Sequence, residues 1–307
     1  MTQSKPAIIL LAHGSPESPA DVPEFINLIT GGRPVPDAVI EEVRRRYALV
    51  GKSPLTEIAL AQGAALEKET GHRVYVGMRN WKPFIAEAVR QMVMDGIRSV
   101  LAICLAPQNS STSVGLYRKA LMAGMLPDIS VQFVESWHDH PLLVRAFAEK
   151  LEPAWRAASN HVGTQVPVIF TAHSVPTRTN YAGDPYEGQV KDTALLVEEN
   201  TPGLSSELCH FAFQSQGMSG GPWLGPTVES VILELKKQGH RGVVLAPIGF
   251  VCDHVEVLYD VDIVFRNFAA EQGMQFWRTE SLNVSSTFIA ALAALSAERL
   301  AAAGPAA

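Results

Sequence analysis

Ile8-Ile9-Leu10-Leu11-Ala12-His13-Gly14-Ser15-Pro16 is an apolar run that ends in Ala-His and a Pro-bearing turn. Val168-Ile169-Phe170-Thr171-Ala172-His173-Ser174-Val175-Pro176 repeats it in the second half of the chain. A second pair follows in the same order: Asp95-Gly96-Ile97-Arg98-Ser99-Val100-Leu101-Ala102-Ile103 and Gln238-Gly239-His240-Arg241-Gly242-Val243-Val244-Leu245-Ala246. Two ordered matches indicate a duplicated unit. In an open α/β sheet, ligands bind outside the carboxyl ends of the strands. A histidine just past a strand end in each half would therefore face a cleft between the halves.

Around these anchors, short apolar runs alternate with helix-period segments. Strands are expected at Ala7–Ala12, Arg73–Gly77, Ser99–Leu105 and Val131–Glu135, then at Pro167–Ala172, Leu208–Phe213, Gly242–Pro247 and Gln275–Thr279. Helices are expected at Pro54–Thr70, Ile85–Asp95, Leu142–Ala157, Tyr186–Asn200 and Thr227–Gln238. Continuous apolar strands alternating with helices imply an α/β fold with parallel sheets covered on both faces. The polar stretch Ala158–Gln165 places the division between residues 1–160 and 161–307. Gly31–Asp37 is an excursion from the repeat. An Ala-rich terminal helix runs from Phe288 and is stopped by Gly304-Pro305.

Composition narrows the function classes. The chain has 307 residues, 47% hydrophobic and 18% charged, enough for a sizeable core. Its net charge of −6 argues against a nucleic-acid partner, which needs a basic footprint. The densest basic run, Arg44-Arg45-Arg46 beside Glu41 and Glu42, reads as a solvated helix face. No apolar stretch is long enough for a transmembrane helix or a secretory leader. Cys104, Cys209 and Cys252 form no Cys-x-x-Cys pair, so neither an Fe–S cluster nor a zinc knuckle is expected, and a cytoplasmic setting is.

The chemistry-bearing residues cluster past the strands of the second half. His173 could be a satisfied structural residue, a base or a metal ligand. Cys252-Asp253-His254-Val255-Glu256-Val257-Leu258-Tyr259-Asp260-Val261-Asp262 follows the strand ending at Pro247. If Asp253 starts a helix, Glu256 and Asp260 are i,i+4 neighbours on one face. With His173 opposite, they would make a divalent-metal site or a proton shuttle. A capping box of Asp253 and Glu256 is the plain alternative, but it leaves Asp260 and Asp262 unexplained. The Gly-rich loop from Gln214 to Pro226 lacks a lysine for phosphate, and with Met218 and Trp223 better suits a wall against a flat apolar ligand. His138-Asp139-His140 lacks a full metal-ligand set and reads as ordinary polar sequence. Arg46, Tyr47, Ser53, Tyr117 and Arg118 could bind anionic groups, or simply sit at helix ends.

Taken together, Gly51-Lys52-Ser53-Pro54-Leu55, Gly77-Met78-Arg79-Asn80-Trp81, Leu105-Ala106-Pro107-Gln108, Ala172-His173-Ser174-Val175-Pro176, Gly183-Asp184-Pro185-Tyr186, Phe213-Gln214-Ser215, Pro222-Trp223-Leu224-Gly225-Pro226 and Asp253-His254-Val255-Glu256-Val257-Leu258-Tyr259-Asp260 resemble the ferrochelatase family over about Ile8 to Asn283. The resemblance implies two similar Rossmann-like, chelatase-type halves, with a porphyrin bound in the cleft and Fe²⁺ as a substrate rather than a resident cofactor. It implies catalytic roles for His173, Glu256 and Asp260, with His173 and Glu256 at the metal. It implies porphyrin contacts from Arg46, Tyr47, Ser53 and Tyr117, as in short soluble bacterial members that act on coproporphyrin III. Trp223 joins them as the flat wall. His13 stands where those members often carry tyrosine, which leaves it open as an opposite-face iron ligand. Thr30 stands where they carry a propionate-binding arginine.

The short polar excursion favours coproporphyrin III over protoporphyrin IX, with product passed to a downstream haem-synthesis enzyme. A tetrapyrrole carrier using His13 as axial ligand is the alternative from the binding class. A chelatase for a more reduced tetrapyrrole is the alternative enzyme.

Overall fold

The structure, a computed structural model, describes residues 5–216 and 221–302. Eight strands form: β1 (Ala7–Ala12), β2 (Val74–Met78), β3 (Ser99–Cys104), β4 (Ser130–Val134), β5 (Val168–His173), β6 (Cys209–Gln214), β7 (Gly242–Pro247) and β8 (Gln275–Arg278). They make two four-stranded sheets of order β2-β1-β3-β4 and β6-β5-β7-β8. Every pairing is parallel. The identical order is the structural form of the internal repeat.

Strand chemistry follows from burial. β1 and β7 are buried at every position, and both are near-continuous aliphatic runs, as strands covered on both faces must be. The strand order also locates the crevice. From β1 the chain steps to β2 on one side, then crosses to β3 on the other. The two crossovers leave a gap at the carboxyl ends of β1 and β3, and the same gap recurs at β5 and β7.

The halves share a core. One cluster of buried residues joins Ile8, Leu10 and Leu101 of the first sheet to Phe170 and Val244 of the second, through Trp137, Trp155 and Phe288. The terminal helix, Ser286–Ala302, packs on Leu55–Thr70 and Pro141–Val162 of the first half. Gln108, 2% exposed after β3, donates through Nε2 to the Ile248 carbonyl after β7 at 3.2 Å. The two crevices are thereby stitched together where they open.

Several expected boundaries move. His173 is the last residue of β5 rather than a residue past it. Its backbone still pairs with Gln214 of β6. The helix expected over Leu142–Ala157 runs Pro141–Val162. Pro141 suits the first turn, and the polar Ser-Asn-His stretch forms an exposed last turn that ends at Gly163 in the left-handed region, φ 84°. The Gly31–Asp37 excursion is the turn of a helical hairpin, Val22–Thr30 and Asp37–Val50. The helix before that turn exposes Leu28 and Ile29, and the helix after it exposes Leu49, so the lip is less polar than the turn alone suggests. Gly304-Pro305, expected to stop the terminal helix, lies outside the described residues.

Candidate active site

His173 closes β5, and its position is set from both sides. The Tyr186 hydroxyl donates to the His173 carbonyl at 3.0 Å. The ring Nδ1 lies 2.6 Å from the Ser174 carbonyl. A carbonyl can only accept, so Nδ1 carries the hydrogen and the lone pair falls on Nε2. Nε2 lies 3.8 Å from Glu256 Oε1. Both side chains reach solvent, 32% for His173 and 41% for Glu256, as a site open to a substrate requires.

Glu256 comes from the loop after β7. The helix there does not start at Asp253. The helical turn opens at Val255 and passes into a π-helical segment, Val257–Phe265. Such i→i+5 turns are rare and concentrate at functional sites. The alternative reading, a capping box of Asp253 and Glu256, does not form. The Asp253 carboxylate turns away to Arg278, Ser281 and Asn283. The Glu256 N–H is accepted instead by His254 Nδ1 at 3.2 Å.

The environments of the two carboxylates pull them apart. Burial alone would raise Glu256, but His173, His254, His13 and Arg46 outweigh it and hold the carboxyl below its ordinary value. Asp260 is raised, by burial first and by the Glu256 charge, against a hydrogen bond from Ser215 and the charges of Arg46 and His173. One carboxylate is held ionised while its neighbour takes a proton more readily. Ser215, which donates to Asp260 Oδ2, has φ 59°, in the left-handed region that a non-glycine residue seldom adopts.

His13 follows β1 and forms part of the opposite wall. Asn80 Nδ2 lies 3.2 Å from both of its ring nitrogens, and Asn80 N–H donates to the His13 carbonyl at 2.9 Å. The ring packs edge-on to Phe25, and Phe25 packs edge-on to Trp81. Although the ring is exposed to the cleft, the surrounding protein depresses its pKa to about 4; Glu256 opposes this, and Arg79, His254 and His173 reinforce it.

The remaining sequence candidates divide. Tyr47 is buried, with its hydroxyl 2.7 Å from Ser15 Oγ. Tyr117 is buried, and the neighbouring Glu256 and Arg79 charges both act on its hydroxyl. Ser53 is 1% exposed and its Oγ has no hydrogen-bond partner among the described residues. Arg46 bonds Glu42 at 3.0 Å and lies over the Tyr259 ring at 5.2 Å, while Arg45 donates to the Tyr259 hydroxyl at 2.8 Å. The Arg44–Arg46 run is therefore more than a solvated face, because it fastens the hairpin to the second half. Arg118 pairs with Glu135 at 2.5 Å. Trp223 bridges to Pro176, so the Pro222–Pro226 segment is sewn to the chain just after His173. The middle of the Gly-rich loop, residues 217–220 and so Met218, lies outside the described residues. Thr30 turns its hydroxyl back onto the Ile26 carbonyl at 2.9 Å. Asn80, Gln108, Tyr186 and Ser215 carry no signal of their own in the sequence beyond their motifs; their hydrogen bonds single them out.

His173 Nε2 lies 3.8 Å from Glu256 Oε1, and His13 after β1 feels the charges of both. A sequence profile of the ferrochelatase family matches residues 5–300. The chain belongs to the ferrochelatase family. A ferrochelatase of Acidobacterium capsulatum is 50% identical over 95% of this chain and 94% of its own. A coproporphyrin III ferrochelatase of a Geobacillus species is 34% identical over 98% and 99%. The fold is also that of a solved SirB structure from Bacillus subtilis with Fe³⁺, with TM-score 0.63 and 13% identity, covering 98% of this chain and 97% of that one. This ferrochelatase therefore has the two-halved α/β architecture of the chelatases. Among its described residues, no helix is long and apolar enough to cross a membrane.

Proposed function

We propose that this ferrochelatase inserts Fe²⁺ into coproporphyrin III in the cytoplasm, with His173, Glu256 and Asp260 as the catalytic group. The observation that carries the reading is the 3.8 Å approach of His173 Nε2 to Glu256 Oε1, with Asp260 four residues further along the same segment. A free porphyrin keeps two N–H protons inside a planar ring, and iron cannot enter until they leave. A positioned base supplies roughly 10²–10⁴-fold to such a step. Asp260, raised above its ordinary value, is suited to carry the proton onward.

His173 and Glu256 also present one nitrogen and one carboxylate oxygen to iron, a donor set that suits Fe²⁺. His13 would offer iron a further ring nitrogen. Its lowered pKa keeps that nitrogen unprotonated near neutral pH. Tyr47, Ser53, Tyr117, Arg46 and Trp223 would contact the macrocycle and its acidic side chains.

The preference for coproporphyrin III draws on relatives of that name at 34% and 35% identity. Anaerobic Fe²⁺ insertion, followed by absorbance with coproporphyrin III and protoporphyrin IX side by side, tests it. Faster insertion into coproporphyrin III is expected, with the product consumed by a downstream haem-synthesis enzyme. Faster insertion into protoporphyrin IX would replace it with direct protohaem synthesis. Tight haem binding without insertion would support the carrier.

A further inference from the structure

Arg278, the last residue of β8, is 15% exposed at its side chain and uses all three guanidinium nitrogens. Nε donates to Asp262 Oδ1 at 2.8 Å and Nη2 to Asp262 Oδ2 at 3.0 Å, a two-pronged pair. Nη1 donates to Asp253 Oδ1 at 3.2 Å and to the Thr279 carbonyl at 3.1 Å. Asp253 and Asp262 bracket in sequence Glu256 and Asp260, the two carboxylates assigned to the metal wall. One guanidinium thus closes a staple across both ends of that segment.

Asn283 completes the staple. Its Nδ2 donates to Asp253 Oδ2 at 2.8 Å, and its Oδ1 accepts from the Asp253 N–H at 2.9 Å. Its own N–H donates to the Val251 carbonyl at 2.9 Å. Gln62 of the first half, wholly buried, donates to the Asn283 carbonyl at 2.7 Å. Asn283 sits at φ 46°, a left-handed conformation that asparagine tolerates better than most residues. The fastening therefore runs from the first half, through Asn283 and Asp253, to the metal wall.

We propose that Arg278 and Asn283 are positioning residues for iron insertion: through Asp253 and Asp262 they set the register of the helical turn and π-helical segment, residues 255–265, that carry Glu256 and Asp260. A wide i→i+5 turn has weaker intrinsic preference than an α-helix, so an external staple decides which way its carboxylates face. Arginine is required for the Asp262 pair because its planar fork matches a carboxylate two bonds at a time, and lysine offers only a point charge. The inference rests on the placement of Glu256 and Asp260 at the metal.

The test compares Arg278→Lys, Arg278→Gln and Asn283→Gly in the full chain, with Glu256→Gln as the reference. Supporting residues of this kind typically change activity by 10–100-fold. Arg278→Gln is expected to lower kcat for Fe²⁺ insertion by about 100-fold and Arg278→Lys by about 10-fold. The porphyrin Kd, read by fluorescence quenching without metal, should stay within about two-fold, since no porphyrin contact is touched. Asn283→Gly keeps the left-handed backbone and its bonds to Gln62 and Val251, and is expected to lower kcat by about 10-fold. Folded Arg278 variants with parental kcat would overturn the proposal, as would a loss of porphyrin affinity in proportion to kcat. If the Arg278 variants fail to fold, parental kcat in Asn283→Gly overturns it alone. Activity retained in Glu256→Gln would instead sink the underlying assignment, whatever the Arg278 variants do.

Discussion

His173 Nε2 and Glu256 Oε1 stand 3.8 Å apart, although 83 positions separate them in the chain. The pair forms because β5 and β7 are neighbours in the sheet and both end at the same crevice. Each partner has its own brace: the Ser174 carbonyl for His173 and the His254 ring for Glu256. The pair is thus held from the backbone, before any substrate arrives.

His173→Ala should reduce Fe²⁺ insertion by roughly 10²–10⁴-fold, the usual contribution of a general base. Porphyrin binding, measured by fluorescence without metal, should change little. Near-parental turnover in this variant would remove His173 from the mechanism.

Ser215→Ala removes the hydrogen bond that favours the charged form of Asp260. The Asp260 carboxyl should then hold its proton to still higher pH. In a profile of kcat against pH, the acid limb should move upward. An unmoved limb would show that Asp260 does not control it.

His13 offers a pH effect on stability. Its folded-state pKa, about 4, lies below the ordinary 6.5. As pH falls, the unfolded chain takes up this proton first, so stability declines from about 6.5 and the decline levels off below about 4. Water in the open cleft reduces its size. Denaturant unfolding of wild type and His13→Gln between pH 7 and 4 should show the smaller decline in the variant. Parallel curves would contradict the lowered pKa.

Gly14 tolerates no side chain. It has φ 84°, and a Cβ there would lie 2.7 Å from the Trp81 backbone nitrogen. Gly14→Ala combines left-handed strain with overpacking beside the His13 wall, at about 2–4 kcal/mol. Urea unfolding should register that loss as a lower midpoint with an unchanged slope.

The amino-acid sequence alone determined the repeat, the parallel α/β class and the strands, because buried strands need continuous aliphatic runs and those runs are local. β1 and β7 were legible to the residue. It also placed His173, Glu256 and Asp260 near strand ends, which topology turns into a site. Tertiary structure alone decided which groups touch. The π-helical register of Val257–Phe265, the staple from Arg278 to Asp253 and Asp262, the Arg45–Tyr259 bond and the Gln108 stitch join residues distant in sequence. Periodicity records which face a residue buries; it holds nothing about the partner that a polar side chain meets after two sheets have packed. For the same reason the partner of the Asp253 carboxylate, Arg278, was not legible in the sequence.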